Sequence, residues 1–95
     1  MPQAYVRFIK TINNWIWENK KFCKNLEKEE QQILTDIELT KEEINHATTN
    51  NELMLLNQIQ QARNELLEII TQEIVLNKTK QNIYVGVIKY YNIFG

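Results

Sequence analysis

The sequence predicts an all-α chain, a long antiparallel helical hairpin of coiled-coil character, and three observations carry that prediction. Gly occurs twice and Pro once in 95 residues, so the turn grammar of a β-sandwich or barrel is missing, as is a Gly-rich phosphate cradle. Apolar residues recur at 4-3 spacing over two long segments, as expected when one helix face is buried against another. Between them lies one stretch, His46-Ala47-Thr48-Thr49-Asn50-Asn51-Glu52, whose β-branched and amide side chains favour caps and turns over helix interiors.

The first helix, about residues 3–47, is read from the row Tyr5, Ile9, Ile12, Ile16, Asn19, Cys23, Leu26, Glu30, Ile33, Ile37, Thr40, Ile44 and Ala47. The turn falls at about 48–51, where Thr49 followed by Glu52 fits a capping box that starts the second helix. The same spacing occurs at Thr35/Glu38 and Thr40/Glu43, so a break near Thr35, giving a third helix, is the alternative. The apolar row runs unbroken through both sites and favours the single turn.

The second helix, about residues 50–92, is read from Leu55, Ile59, Ala62, Leu66, Ile69, Glu73, Leu76, Lys80, Ile83, Val87, Tyr90 and Phe94. Ten of these twelve positions are apolar, and the row is taken as the seam on that ground. Around Gly86 the segment from Ile83 to Tyr91 is β-branched and aromatic, like Ala4 to Ile9. Extended, paired termini are therefore the alternative for those two stretches.

Helices of roughly 43 residues would each be about 65 Å long, and a short turn makes them antiparallel neighbours. Residues whose numbers add to about 97 then face each other, which sets Asn19 near Lys80, Cys23 and Lys24 near Glu73, and Glu30 near Arg63. All the aromatics, Tyr5, Phe8, Trp15, Trp17, Phe22, Tyr84, Tyr90, Tyr91 and Phe94, gather at the end away from the turn.

Apolar residues exceed what one seam can use. Phe8, Trp15 and Phe22 recur every seven residues on one flank of the first helix; Leu56, Ile70, Tyr84 and Tyr91 form a flank of the second, with Leu53, Leu67, Ile74 and Ile88 beyond. Such stripes need a cover, and the simplest is a homodimer completing a four-helix bundle, or docking on another helical protein. The expected partner-binding residues are Phe8, Trp15, Trp17, Phe22, Leu67, Ile70, Tyr84 and Tyr91.

The net charge of −1 conceals a division. Residues 1–26 carry Arg7, Lys10, Lys20, Lys21 and Lys24 against Glu18, and residues 74–95 carry Lys78, Lys80 and Lys89 with no acid. Residues 27–73 hold Lys28, Lys41 and Arg63 against eleven acids. An antiparallel dimer overlapping basic ends with acidic tips would satisfy both signs.

Little in the sequence points to chemistry. Cys23 is the single cysteine, so a disulfide within the chain and a multi-cysteine zinc site are excluded, and a reducing, cytoplasmic setting is expected. No N-terminal run resembles a signal peptide, and no stretch is apolar and long enough to span a bilayer. His46 with Glu42 and Glu43 is at most a fragment of a metal site, and the carboxylates of Glu29/Glu30 and Glu42/Glu43 face different ways on a helix. No enzymatic activity, cofactor or metal is expected. The chain reads as a structural or adaptor protein working by helix–helix association. The alternative is a peripheral membrane-surface or single-stranded nucleic-acid contact through the basic aromatic end, with nucleic acid the weaker partner of the two.

Overall fold

A computed structural model describes residues 2–94, with side chains described from Pro2 to Tyr91; Phe94, the last position of the expected second row, lies outside the described side chains. Two helices account for the structure: α1, Gln3–Asn45, and α2, Asn50–Phe94, and no strand occurs among the described residues. The segments Ala4 to Ile9 and Ile83 to Tyr91 are helical rather than extended.

The helix ends follow from local chemistry. Pro2 has no N–H to leave unsatisfied, and its carbonyl accepts a bond from the Val6 amide at 3.3 Å. α1 closes with a tightened turn in which the His46 amide donates to the carbonyls of both Glu42 and Glu43, at 3.2 and 3.1 Å. The Thr49 hydroxyl accepts from the Glu52 amide at 3.2 Å, while the Thr48 amide donates to a Glu52 carboxylate oxygen at 3.5 Å, so the expected capping pair starts α2. The rival sites do not cap. Thr35 and Thr40 turn their hydroxyls back to the carbonyls of Gln31 and Asp36, at 3.0 and 2.8 Å, and α1 passes through both.

Gly86 stands in α2 with no positive φ, and a β-carbon added there would meet nothing within 4 Å. Gly86→Ala is therefore expected to stabilise the chain by about 0.5–1 kcal/mol, through helix propensity and a less flexible unfolded state. A thermal melt followed by circular dichroism checks it.

The helices build two compact units, one from residues 26–73 and one from residues 1–25 with 74–95. In the first, which contains the turn, Leu26, Ile37, Thr40 and Leu56 are buried. Gln60 Nε2 donates to the Ile37 carbonyl at 2.9 Å, Arg63 Nη1 donates to the Thr40 hydroxyl, and Thr71 Oγ1 donates to Glu30 Oε2 at 3.2 Å. In the second, Ile12, Asn19, Ile74 and Asn77 are buried. Asn19 Nδ2 donates to the Asn77 carbonyl at 2.8 Å and to Gln81 Oε1 at 3.0 Å. From Glu30–Thr71 to Ile37–Gln60 in the first unit, and from Tyr5–Tyr91 to Asn19–Asn77 in the second, the partner's number falls as the α1 number rises, so the helices are antiparallel in each unit.

The expected α1 row is the observed one: each position from Tyr5 to Ala47 is buried or half-buried. α2 differs. Leu55, Ala62, Leu66, Ile69, Glu73, Leu76, Lys80, Ile83 and Tyr90 are exposed while Ile59 and Val87 of that row are half-buried, and the seam is the adjacent row Leu56, Gln60, Arg63, Leu67, Ile70, Ile74, Asn77, Gln81, Tyr84 and Ile88. The more apolar row faces out because the α1 seam carries polar groups that need partners. Asn19 donates to the Gln81 side chain and to the backbone carbonyl of Asn77, Thr40 meets Arg63 and the Ile37 carbonyl meets Gln60, whereas the expected row offers no side-chain amide or guanidinium. The expected pairs shift accordingly, Asn19 binding Asn77 and Gln81 instead of Lys80, Arg63 meeting Thr40 and Glu30 meeting Thr71.

Candidate functional site

Two kinds of surface stand out, and each is placed by the seam. The first is aromatic and lies in the unit of residues 1–25 with 74–95. Phe8 packs edge-on against Tyr91 with ring centroids 5.3 Å apart, Trp15 tilts against Tyr84 at 5.8 Å, and the Tyr5 hydroxyl donates to the Tyr91 carbonyl at 3.1 Å. Trp15, Glu18, Asn19, Phe22, Asn77, Lys80 and Tyr84 line an open groove of about 430 Å³. Three of these are aromatic, Asn19 and Asn77 are buried, and Glu18 and Lys80 bring opposite charges. Trp17 points elsewhere on α1: it is 59% exposed, with the Lys21 ammonium 5.2 Å from its ring centre.

The second surface is the apolar row of α2 displaced from the seam. In the unit of residues 26–73 it presents Leu55, Leu66 and Ile69, and in the other unit Leu76, Ile83 and Tyr90, all more than half exposed. None of these residues was expected as a contact position, because their apolar periodicity marked them for the seam.

Of the expected contact residues, Phe8, Trp15, Trp17, Phe22 and Tyr91 are exposed. Leu67, Ile70 and Tyr84 are instead half-buried positions of the seam between α1 and α2. Their burial has one cause, since exchanging the two rows of α2 turns its expected outer flank inward. Tyr84 keeps part of its expected place, because it both touches Trp15 and lines the groove.

The units differ in sign. Residues 1–25 with 74–95 hold eight basic side chains against Glu18, a net of +7, and residues 26–73 hold three against eleven acids, a net of −8. The division of the chain into units coincides with its division by charge. Among the described residues, no group of three or more His, Cys, Asp or Glu side chains is placed to hold a metal ion, and Cys23 is a half-buried thiol. No helix of the described residues is long and apolar enough to cross a membrane. Comparison with protein families, with curated proteins and with solved structures finds no match to the chain.

Proposed function

We propose that this chain is a non-enzymatic structural or adaptor protein that works by helix–helix association, with itself or with another helical protein. The observation that carries this reading is the exposed α2 row. A helix whose most apolar heptad row lies outside its own seam has a second seam without a second helix, and leaving Leu55, Leu66, Ile69, Leu76 and Ile83 in water forgoes roughly 1–2 kcal/mol for each side chain. Fold alone does not ask for those side chains, because the seam closes without them. The exposed Trp15, Trp17 and Phe22 supply aromatic area of the kind that dominates contact energies, on a unit of positive charge.

A photo-crosslinking side chain tests the reading in cells that make the protein. Placed at Leu76 or at Trp17, it is expected to give covalent adducts under illumination. Placed at the exposed Lys28 on the polar face of α1, it is expected to give few. No adduct from either apolar position would overturn the reading.

A further inference from the structure

α1 carries a second row besides its seam. Arg7, Lys10, Asn14, Trp17, Lys21 and Lys24 follow one another at alternating spacings of three and four, all six are exposed, and all lie in the unit of residues 1–25 with 74–95. At about 100° per residue they stand on the far side of α1 from the seam positions Ile12, Ile16 and Asn19, and at 1.5 Å per residue they run for about 25 Å. Four of the six are cations, and none is an acid. Glu18, the one acid of this unit, borders the row but lines the groove with Trp15 and Phe22. Trp17 stands near the middle of the row, 59% exposed, with the Lys21 ammonium over its ring.

A line of cations around one tryptophan fits some occupants better than others. A helical partner would find a single apolar anchor here, because Lys10, Asn14, Lys21 and Lys24 fill the other positions at which a seam needs apolar side chains. Single-stranded nucleic acid stacks successive bases on successive rings, and the row offers one ring, with Trp15 and Phe22 turned to the groove. A flat anionic layer asks only for a straight line of positive charge and a wedge at the depth of the headgroups. Tryptophan favours that depth, and lysine stems reach along it while their ammonium groups stay in water.

We propose that the outer row of α1 lies against an anionic lipid surface, with Trp17 at the level of the headgroups and Arg7, Lys10, Lys21 and Lys24 on their negative charges. With one ring as the wedge, the contact is shallow and owes its strength to charge, so it weakens steeply with salt. It is separate from helix–helix association, which the exposed α2 row supports, so either can fail without the other.

The test is co-sedimentation of the full chain with phosphatidylcholine vesicles containing about one third phosphatidylserine, at low salt. Wild type is expected to bind them, to leave neutral phosphatidylcholine vesicles free, and to be released at about 1 M salt, where the screening length is about 3 Å. Lys21→Ala and Lys24→Ala should each weaken binding roughly fivefold, and roughly 25-fold together, with an unchanged helical spectrum, since both positions are exposed and alanine suits a helix. Fluorescence identifies the face. Trp15→Phe leaves Trp17 as the single tryptophan, whose emission should move to shorter wavelength on the anionic vesicles, whereas Trp17→Phe, which leaves Trp15, should show no such move. Absence of binding at low salt, equal binding to neutral vesicles, or a spectral move confined to Trp15 would each overturn the proposal. Retardation of a single-stranded oligonucleotide without vesicle binding would assign the row to nucleic acid and overturn it as well.

Discussion

Ile74→Ala is expected to lower the stability of the chain by about 2–4 kcal/mol, and Val75→Ala by no more than about 0.5 kcal/mol, although the two residues are adjacent and both β-branched. Ile74 is 7% exposed and sits in the seam; Val75 is 60% exposed and lies outside it. Removing three methyl-sized groups from Ile74 forfeits their transfer free energy and opens a void that two rigid helices cannot close. At Val75 the lost contacts are with water, and Ala regains helix propensity. No large side chain among the described residues is fully buried, so the Ile74 value should fall in the lower part of its range. Urea denaturation followed at the helical band of the circular dichroism spectrum checks both variants. A larger loss at Val75 would place the seam on the wrong face of α2.

Asn19→Leu should cost about 1–3 kcal/mol in spite of adding an apolar side chain to a buried place. Asn19 is 8% exposed, and its single amide nitrogen serves two acceptors, the Asn77 carbonyl and Gln81 Oε1. Leucine supplies no donor, so both acceptors lose a bond. Gln81 Nε2 is buried with no hydrogen-bond partner among the described residues, so this glutamine is already only half satisfied. Adding Gln81→Leu to Asn19→Leu removes the stranded oxygen and the stranded nitrogen together. The double variant is expected to recover most of the loss, with a coupling of about 1 kcal/mol or more in a double-mutant cycle. Additive costs would mean that the two side chains act independently.

The legible part of this protein was its periodicity. The 4-3 row of α1, the Thr49/Glu52 cap and the antiparallel sense all follow from spacing and capping chemistry, each of which acts within one helix or at its end. Which row of α2 meets α1 was not legible from apolar content. The row from Leu55 is the more apolar, and on hydrophobic burial alone it would be the seam. The choice turns on polar matching across the pair: a buried Asn19 needs acceptors, Thr40 meets a guanidinium and the Ile37 carbonyl takes the Gln60 amide. The polar exceptions in the α1 row were the signal available, because each buried polar group required a hydrogen-bond partner opposite. Gln60, Arg63 and Gln81 were the side chains that could supply them, with Asn77 taking part through its backbone carbonyl. The same inversion relocated Leu67 and Ile70 from the expected outer surface to the inside, and left Leu55, Leu66, Ile69, Leu76 and Ile83 exposed.

The single turn has a consequence for the order in which the molecule assembles. Contacts in the unit of residues 26–73 close short loops, as between Gln60 and Ile37, 23 residues apart. Those in the other unit close long ones, from 58 residues between Asn19 and Asn77 to 86 between Tyr5 and Tyr91. The longest closure costs about 1 kcal/mol more chain entropy than the shortest if it must form first, and almost none of that excess once the helices are already zipped from the turn. On loop length, amides of the acidic unit are expected to exchange with solvent more slowly than those of the basic aromatic unit, which native-state hydrogen exchange checks.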